Sequence, residues 1–320
     1  MKNEVLRFLR EQEEYLSGEE ISRRLGISRT AVWKQINTLK KEGYEIASQT
    51  RIGYRLISVP DRLYPEEIQK QLRTNLVGRN MIYRERVDST NILARQTGET
   101  GFVDGTVILA EEQTAGKGRL GRVWHSPMGT GINMSLLLRP AIPVSDAAKI
   151  TLLTGAAVAR GLEEITGLKI GIKWPNDLQI QGKKVSGILT EIKADMDQIH
   201  YLIVGIGINV NEQDFPEELR ETATSLHMEV GRQVSRIETA AVVLNHWEEI
   251  YQRFLTQGFT VVREEWKQYA VTLGKEVHVR TINETIHGQA LDIDEDGLLL
   301  VQDEDHQIHR IMAGDVTLRT

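Results

Sequence analysis

The sequence predicts an α+β chain of three domains: a basic helical head, a central mixed β-sheet with helices, and a small C-terminal β domain. Three observations carry that reading. The chain has 320 residues, more than one domain of roughly 150 residues accounts for. Charge is unevenly spread: residues 1–60 hold 11 Lys and Arg against 8 acids, whereas residues 271–320 hold 4 against 10, within a total of −6. Periodicity is interrupted twice, at Ser58-Val59-Pro60-Asp61 and near Tyr269 to Leu273, which places the domains at 1–60, 61–270 and 271–320.

Composition narrows the chemistry. With 40% hydrophobic and 26% charged residues the chain has ordinary globular composition. It contains no cysteine, so disulfides, thiolate metal sites, iron–sulfur clusters and cysteine nucleophiles are excluded. The N-terminus, MKNEVLRFLREQEEYL, is amphipathic and charged, and no stretch approaches the ~18 apolar residues of a membrane span. A soluble, cytoplasmic protein without a membrane partner is expected. An acidic body repels polyanions, so any contact with nucleic acid belongs to the basic head.

In that head, Ser17 and Glu20 have the spacing of a capping box before a short helix carrying Ile21 and Leu25, and Gly26 stops it. Ser28 caps the next helix, where Val32, Ile36 and Leu39 repeat on one side and Arg29, Thr30, Lys34, Gln35 and Asn37 face outward. Two helices joined by a Gly-Ile-Ser turn form a helix-turn-helix, with the second helix suited to the major groove. The segments 44–47 and 53–56 flank a polar turn holding Gln49, Thr50 and Arg51, as in a wing that reaches phosphate. Ser28, Arg29, Thr30, Lys34, Gln35 and Arg51 are therefore the expected DNA-binding residues. A net charge of +3 is small for this task, so a dimer on a pseudo-palindromic operator is expected.

In the middle domain, Val107-Ile108-Leu109-Ala110 reads as a buried strand leading to Gly116-Lys117-Gly118-Arg119-Leu120-Gly121-Arg122. The glycines match G-x-G-x-x-G formally, but no helix follows, so a dinucleotide fingerprint fails on context. Gly182-Lys183-Lys184 lacks the Ser or Thr of a Walker A loop. What remains is a glycine loop whose cations can close on phosphate or carboxylate. Lys173-Trp174-Pro175-Asn176-Asp177-Leu178 and the segment 182–191 read as strand, turn, hairpin and strand, with lysines gathered about one carboxylate and Trp174 in the core. A third strand, 201–210, has glycines at alternate positions in its second half, which implies that something approaches its backbone closely.

The segments Asp88-Ser89-Thr90-Asn91, GKGRLGRVWHSP (116–127), KWPNDL (173–178), GKKVSGILTE (182–191) and GIGINV (205–210) together resemble the biotin protein ligase family. Their order behind a helix-turn-helix is similar to its bifunctional branch, a ligase that is also the biotin-operon repressor. The resemblance implies a class II synthetase-like central domain. It also implies the reaction of biotin with ATP to give biotinoyl-5′-AMP, followed by transfer to a lysine of a biotin carboxyl carrier protein. By the same resemblance, Ser89, Thr90, Asn91, Gln113, Lys117, Gly118, Arg119 and Lys184 bind biotin, and Arg122, Lys173, Asn176 and Asn209 bind the nucleotide. Lys184, Arg119 and Asp177 carry the chemistry, Asp177 by orienting Lys173 or deprotonating the incoming lysine. Mg²⁺ accompanies ATP, with no dedicated protein metal site, and the adenylate acts as corepressor by promoting a homodimer. A repressor that senses the ligand without catalysis and a lipoate-type ligase are the alternatives.

The last fifty residues resemble a small SH3-like barrel. Residues 276–279 alternate as a strand, 294–297 form a turn, 298–301 a buried strand, and 313–316 begin the closing strand. Their acidity fits a solvated surface or a role in positioning carrier or ATP.

Overall fold

The computed structural model describes residues 1–12, 14–281 and 284–318, in two compact units, Met1–Arg62 and Leu63–Thr320. The first contains α1 (Lys2–Arg10), α2 (Gly18–Leu25), α3 (Arg29–Lys41) and the hairpin β1 (Glu45–Gln49) and β2 (Gly53–Ser58). Ser17 caps α2 by accepting from the Glu20 amide at 3.0 Å, and Gly26 closes the helix in the left-handed region at φ 66. The capping box is only half formed, because the Glu20 carboxylate turns outward to Arg23 and Arg24. Ser28 caps α3 through the Ala31 amide at 3.1 Å. Val32, Ile36 and Leu39 are buried together with Val5, Leu9 and Ile21, so the apolar period fixes which side of α3 faces solvent. Arg51, at φ 67, sits at the exposed tip of the hairpin.

The second unit follows with α4 (Pro65–Gln69), β3 (Met81–Val87), α5 (Thr90–Thr100), β4 (Thr106–Gln113), β5 (Ile132–Leu138), α6 (Ala147–Thr166), β6 (Gly171–Lys173) and β7 (Asp177–Ile180). It continues with β8 (Lys183–Ala194), β9 (Ile199–Ile208), α7 (Leu226–Val230), α8 (Arg236–Gln257) and α9 (Phe259–Tyr269). Its seven-stranded sheet has the order β3-β4-β5-β9-β8-β7-β6 and is mixed, with β3 and β4 parallel and the other neighbours antiparallel. Alternation sorts the side chains between two faces. Val107, Leu109, Leu136, Leu202 and Val204 join the main core with α6, α8 and α9. Ile108, Leu137 and Ile203 face the other way, against Ala94 of α5. Trp174 is fully buried, as expected of a core aromatic.

The remaining strands, β10 (Glu276–Arg280), β11 (Thr285–Ile293), β12 (Leu299–Gln302), β13 (Ile308–Ile311) and β14 (Asp315–Leu318), form an antiparallel sheet in the order β13-β12-β11-β10-β14. Val277, Val279, Ala290, Leu299 and Val301 belong to the same hydrophobic core as the larger sheet. This sheet lies in the same compact unit as the larger one. Among the described residues no helix is long and apolar enough to cross a membrane.

Candidate active site

The face of the large sheet that carries α5 has a notch built by register. Gly187, Gly207 and Asn133 lie in one row across β8, β9 and β5, and Leu189, Gly205 and Ser135 lie in the next. Two side chains fill the missing volume. A Cβ on Gly207 would stand 2.4 Å from Trp124 Cε2, and one on Gly205 would stand 2.3 Å from Asn91 Oδ1. The alternate glycines of the third strand thus admit a tryptophan and an amide from the protein itself.

Around the notch the polar groups interlock. Gln113 Oε1 accepts from the Thr90 amide at 2.8 Å and from the Thr90 hydroxyl at 3.1 Å. Ser135 Oγ lies 2.7 Å from both Thr90 Oγ1 and Asn91 Oδ1. Asn91 Nδ2 donates to Glu191 at 2.8 Å, and Arg95 neutralises that carboxylate. Ser89, Thr90 and Asn91 are each only 3% exposed. Burial with partners costs little, whereas burial without them is expensive, and here Thr90, Asn91, Gln113 and Ser135 satisfy one another within the protein.

The glycine loop lies over one end of the notch. It folds on itself through Gly118 N–H to Arg122 O at 2.7 Å and Trp124 N–H to Gly116 O at 2.9 Å. Gly121 and Leu120 adopt left-handed backbone, and no helix follows, so the dinucleotide pattern is formal only. A Cβ on Gly116 would meet Trp124 O at 2.5 Å, which is why a glycine stands there. The Arg119 guanidinium points inward and donates to Asn176 Oδ1 at 2.8 Å. Burial pulls its pKa below the ordinary arginine value, against the opposing pull of Asp177 and Asp315.

The lysine hairpin meets the loop here. Lys184 Nζ lies 2.6 Å from Asp177 Oδ1 and 5.6 Å from the Trp124 ring centroid. Its backbone is pinned by the turn segment that precedes α7: Lys184 N–H donates to Thr222 O at 2.8 Å and Thr224 N–H to Lys184 O at 2.9 Å. Ser89, Gln113, Lys117, Gly118, Arg119 and Lys184 border one narrow cavity with Trp124. Gly118, Arg119, Arg122, Lys173, Asn176, Asp177, Lys184 and Asn209 border an adjoining cavity of about 460 Å³. Cations thus border two adjoining cavities, the larger of which also carries the carboxylates of Asp177, Glu221 and Asp315, an arrangement able to hold two anions side by side with charge to spare for their counter-ions.

The residues expected at the nucleotide also have partners within the protein. Asp177 pairs closely with Lys184 and stands 4.0 Å from Lys173, because β7 lies between β6 and β8 and its carboxylate leans to the longer strand. Arg122 pairs with Asp315 at the start of β14, which raises its pKa; an acid of the C-terminal sheet therefore reaches the loop. The amides of Asn176 and Asn209 are occupied as struts, donating to Ile188 O at 2.9 Å and Thr224 O at 3.0 Å. On the recognition helix, Ser28 serves as the cap, while Gln35 and Asn37 are half-buried and Arg29, Thr30 and Lys34 are exposed. Sequence reading passed over Trp124, Ser135, Glu191 and Asp315. Only Trp124 had a signal, since an aromatic beside the glycine loop is the right size for a glycine notch.

The comparisons with known proteins agree with this geometry. Residues 83–209 match the biotin/lipoate A/B protein ligase family, residues 2–55 an HTH domain, and residues 272–319 the biotin protein ligase C terminal domain. The chain is 44% identical over 307 residues to the bifunctional ligase/repressor BirA of Bacillus subtilis, covering 95% of this chain and 94% of that protein. It is 30% identical to the Escherichia coli protein of the same name, over 96% and 94% of the two chains. The biotin protein ligase of Aquifex aeolicus, solved in complex with biotin and ATP, superposes with a TM-score of 0.66 at 36% identity, covering 75% of this chain and 99% of that one.

Proposed function

The chain belongs to the biotin protein ligase family in its bifunctional ligase/repressor form, and from that premise we propose how its residues divide the work. It is an ATP-dependent biotin protein ligase and a DNA-binding repressor, with a biotin carrier protein as substrate. The observation that carries the site assignment is the meeting of Arg119 from the glycine loop with Asn176, and of Lys184 with Asp177, beside the Ser89–Asn91 network.

A biotin carboxylate oxygen attacks the α-phosphorus of ATP, the bond to the β-phosphate oxygen breaks, and pyrophosphate leaves. Both reactants are anions, so bringing them together needs fixed positive charge in a dry site. Ser89, Thr90, Asn91 and Gln113 hold the polar ureido end of biotin in the narrow cavity that they border with Trp124. Lys117, the Gly118 backbone and Arg119 close over the carboxylate. Lys184 lies against the acyl-phosphate oxygen, the atom that gains charge in both half-reactions. Arg122, Lys173, Asn176 and Asn209 border the nucleotide. In the second step the carrier lysine amine attacks the acyl carbon and AMP leaves. Asp177 orients Lys184 and takes the proton from that amine. Mg²⁺ bound with ATP would supply positive charge to its phosphates, and Asp177 and Asp315 are the residues that would hold it from the protein side. The described residues include no cluster of three ligating side chains, while Asp177 and Asp315 border the cavity.

Incubation with biotin, ATP, Mg²⁺ and a biotin carboxyl carrier domain is expected to add one biotin to the carrier by mass. Pyrophosphate exchange without transfer to the carrier would contradict ligation. Loss of exchange with retained ligand-dependent DNA binding would favour a pure sensor, and preference for lipoate would favour a lipoate-type ligase.

Gly207→Ala is expected to displace Trp124, weaken biotin binding about tenfold and cost ~1–3 kcal/mol of stability through overpacking. Calorimetry that finds an unchanged Kd would remove Trp124 as a wall of the biotin slot. When carrier is scarce, the adenylate accumulates, orders the glycine loop and promotes a homodimer, a population shift limited by its differential affinity for the two states. Combined Arg29→Ala and Lys34→Ala substitution is expected to weaken DNA binding about thirtyfold, by loss of phosphate and base contacts, and to leave ligation intact. A gel shift with and without biotin and ATP tests both statements; loss of ligation as well would contradict the division of labour. The expected compartment is the cytoplasm.

A further inference from the structure

Trp33 is not needed for the fold of the helix that carries it. Trp174, Trp247 and Trp266 are at most 1% exposed, whereas Trp33 is 55% exposed. It stands on α3 between Arg29 and Asn37, at successive turns of the helix, and α3 contains Arg29, Lys34, Lys40 and Lys41 but no acidic residue. Trp33 also borders an open groove with Lys34, Asn37, Lys40 and Lys41. A large aromatic in water surrounded by cations is poorly matched to a protein core partner. It is well matched to duplex DNA, whose phosphates complement the lysines and whose major groove displays one apolar group, the C5-methyl of thymine.

We propose that Trp33 is a base-reading residue that selects a T·A pair in each half-site by packing its ring on the thymine methyl, while the neighbouring cations hold phosphate. The proposal rests on the repressor reading and deepens it, for polar contacts from Arg29 and Lys34 alone leave a thymine methyl unread. It also states a specificity that the polar residues singled out from the sequence do not supply.

The test uses the full chain with biotin, ATP and Mg²⁺. A random duplex library is first enriched with the wild-type protein, and the best duplex is then remade with each thymine replaced in turn by deoxyuracil, which deletes only the methyl. One position per half-site is expected to lose about fourfold in affinity, the value of one buried methyl-sized group. Trp33→Ala is expected to bind about tenfold more weakly overall, the size of one lost base contact, and to bind thymine and uracil at that position equally. Trp33→Phe is expected to keep part of the discrimination. Circular dichroism melting checks that the variants are folded, which an exposed residue permits. Trp33→Ala retaining the same thymine preference overturns the proposal, as does wild-type binding insensitive to every methyl. If the wild-type protein enriches no sequence, the repressor reading itself fails and this inference falls with it.

Discussion

Lys184→Ala is expected to lower biotin-dependent pyrophosphate exchange by about 10² to 10³, the usual cost of removing one preorganised electrostatic contact to a developing charge. The loss is confined to chemistry because the main chain of Lys184 is held independently, between Thr222 O and Thr224 N–H. Its ammonium is the group that joins the two halves of the site: it touches Asp177 at 2.6 Å and lies over the Trp124 ring. Lys184→Gln keeps much of the volume and removes the charge, so it is expected to be nearly as slow. Lys184→Arg is expected to recover only part of the rate, since a planar fork cannot replace a compact point charge in a narrow cavity. Exchange assays with thermal melts measure both quantities. An unchanged turnover in Lys184→Ala would remove this residue from the site.

The largest effect on stability is expected at Arg236, whose side chain and that of its partner Glu111 are each 1% exposed. Arg236 Nη1 donates to Glu111 Oε2 at 2.8 Å and to Gly131 O at 3.1 Å, and Glu111 Oε1 accepts from the Leu63 amide at 2.7 Å. The pair therefore ties the start of α8 to β4, to the turn before β5 and to the first residue of the unit. Arg236→Ala leaves a buried carboxylate without its counter-charge and is expected to cost about 3–5 kcal/mol, a fall in Tm of about 10 °C for a unit of this size. The double variant Arg236→Met with Glu111→Leu removes both charges and is expected to regain most of that loss. A single variant that melts within a degree or two of wild type would contradict the role given to this pair.

Local features of this fold were legible in the sequence because each rests on a few neighbouring residues. Ser17, Gly26 and Ser28 mark helix ends by capping chemistry, and Val32, Ile36 and Leu39 mark the buried side of α3 by period. The site was legible in part. Glycines at 205 and 207 announced a close approach, but the approaching groups, Asn91 and Trp124, come from distant segments and only strand register brings them together. The resemblance sets Asp177 beside Lys173, and the order of β6, β7 and β8 presents its carboxylate to Lys184 as well, at 2.6 Å against 4.0 Å. Asp315 read as part of an acidic surface, because its pairing with Arg122 spans 193 positions. Trp33 sat in plain view on the recognition helix and was passed over, since an aromatic in a polar stripe carries no periodic signal.

The clamp formed by the glycine loop and the lysine hairpin is tested most directly by a crystal structure with a non-hydrolysable sulfamate analogue of biotinoyl-adenylate. The expected result has the linker between acyl group and nucleoside within hydrogen-bond reach of Lys184 and of the 117–119 loop, with the bicyclic ring in the narrow cavity bordered by Ser89, Gln113 and Trp124. A ligand bound elsewhere, or bound with Lys184 and Arg119 both directed away from the linker, contradicts it.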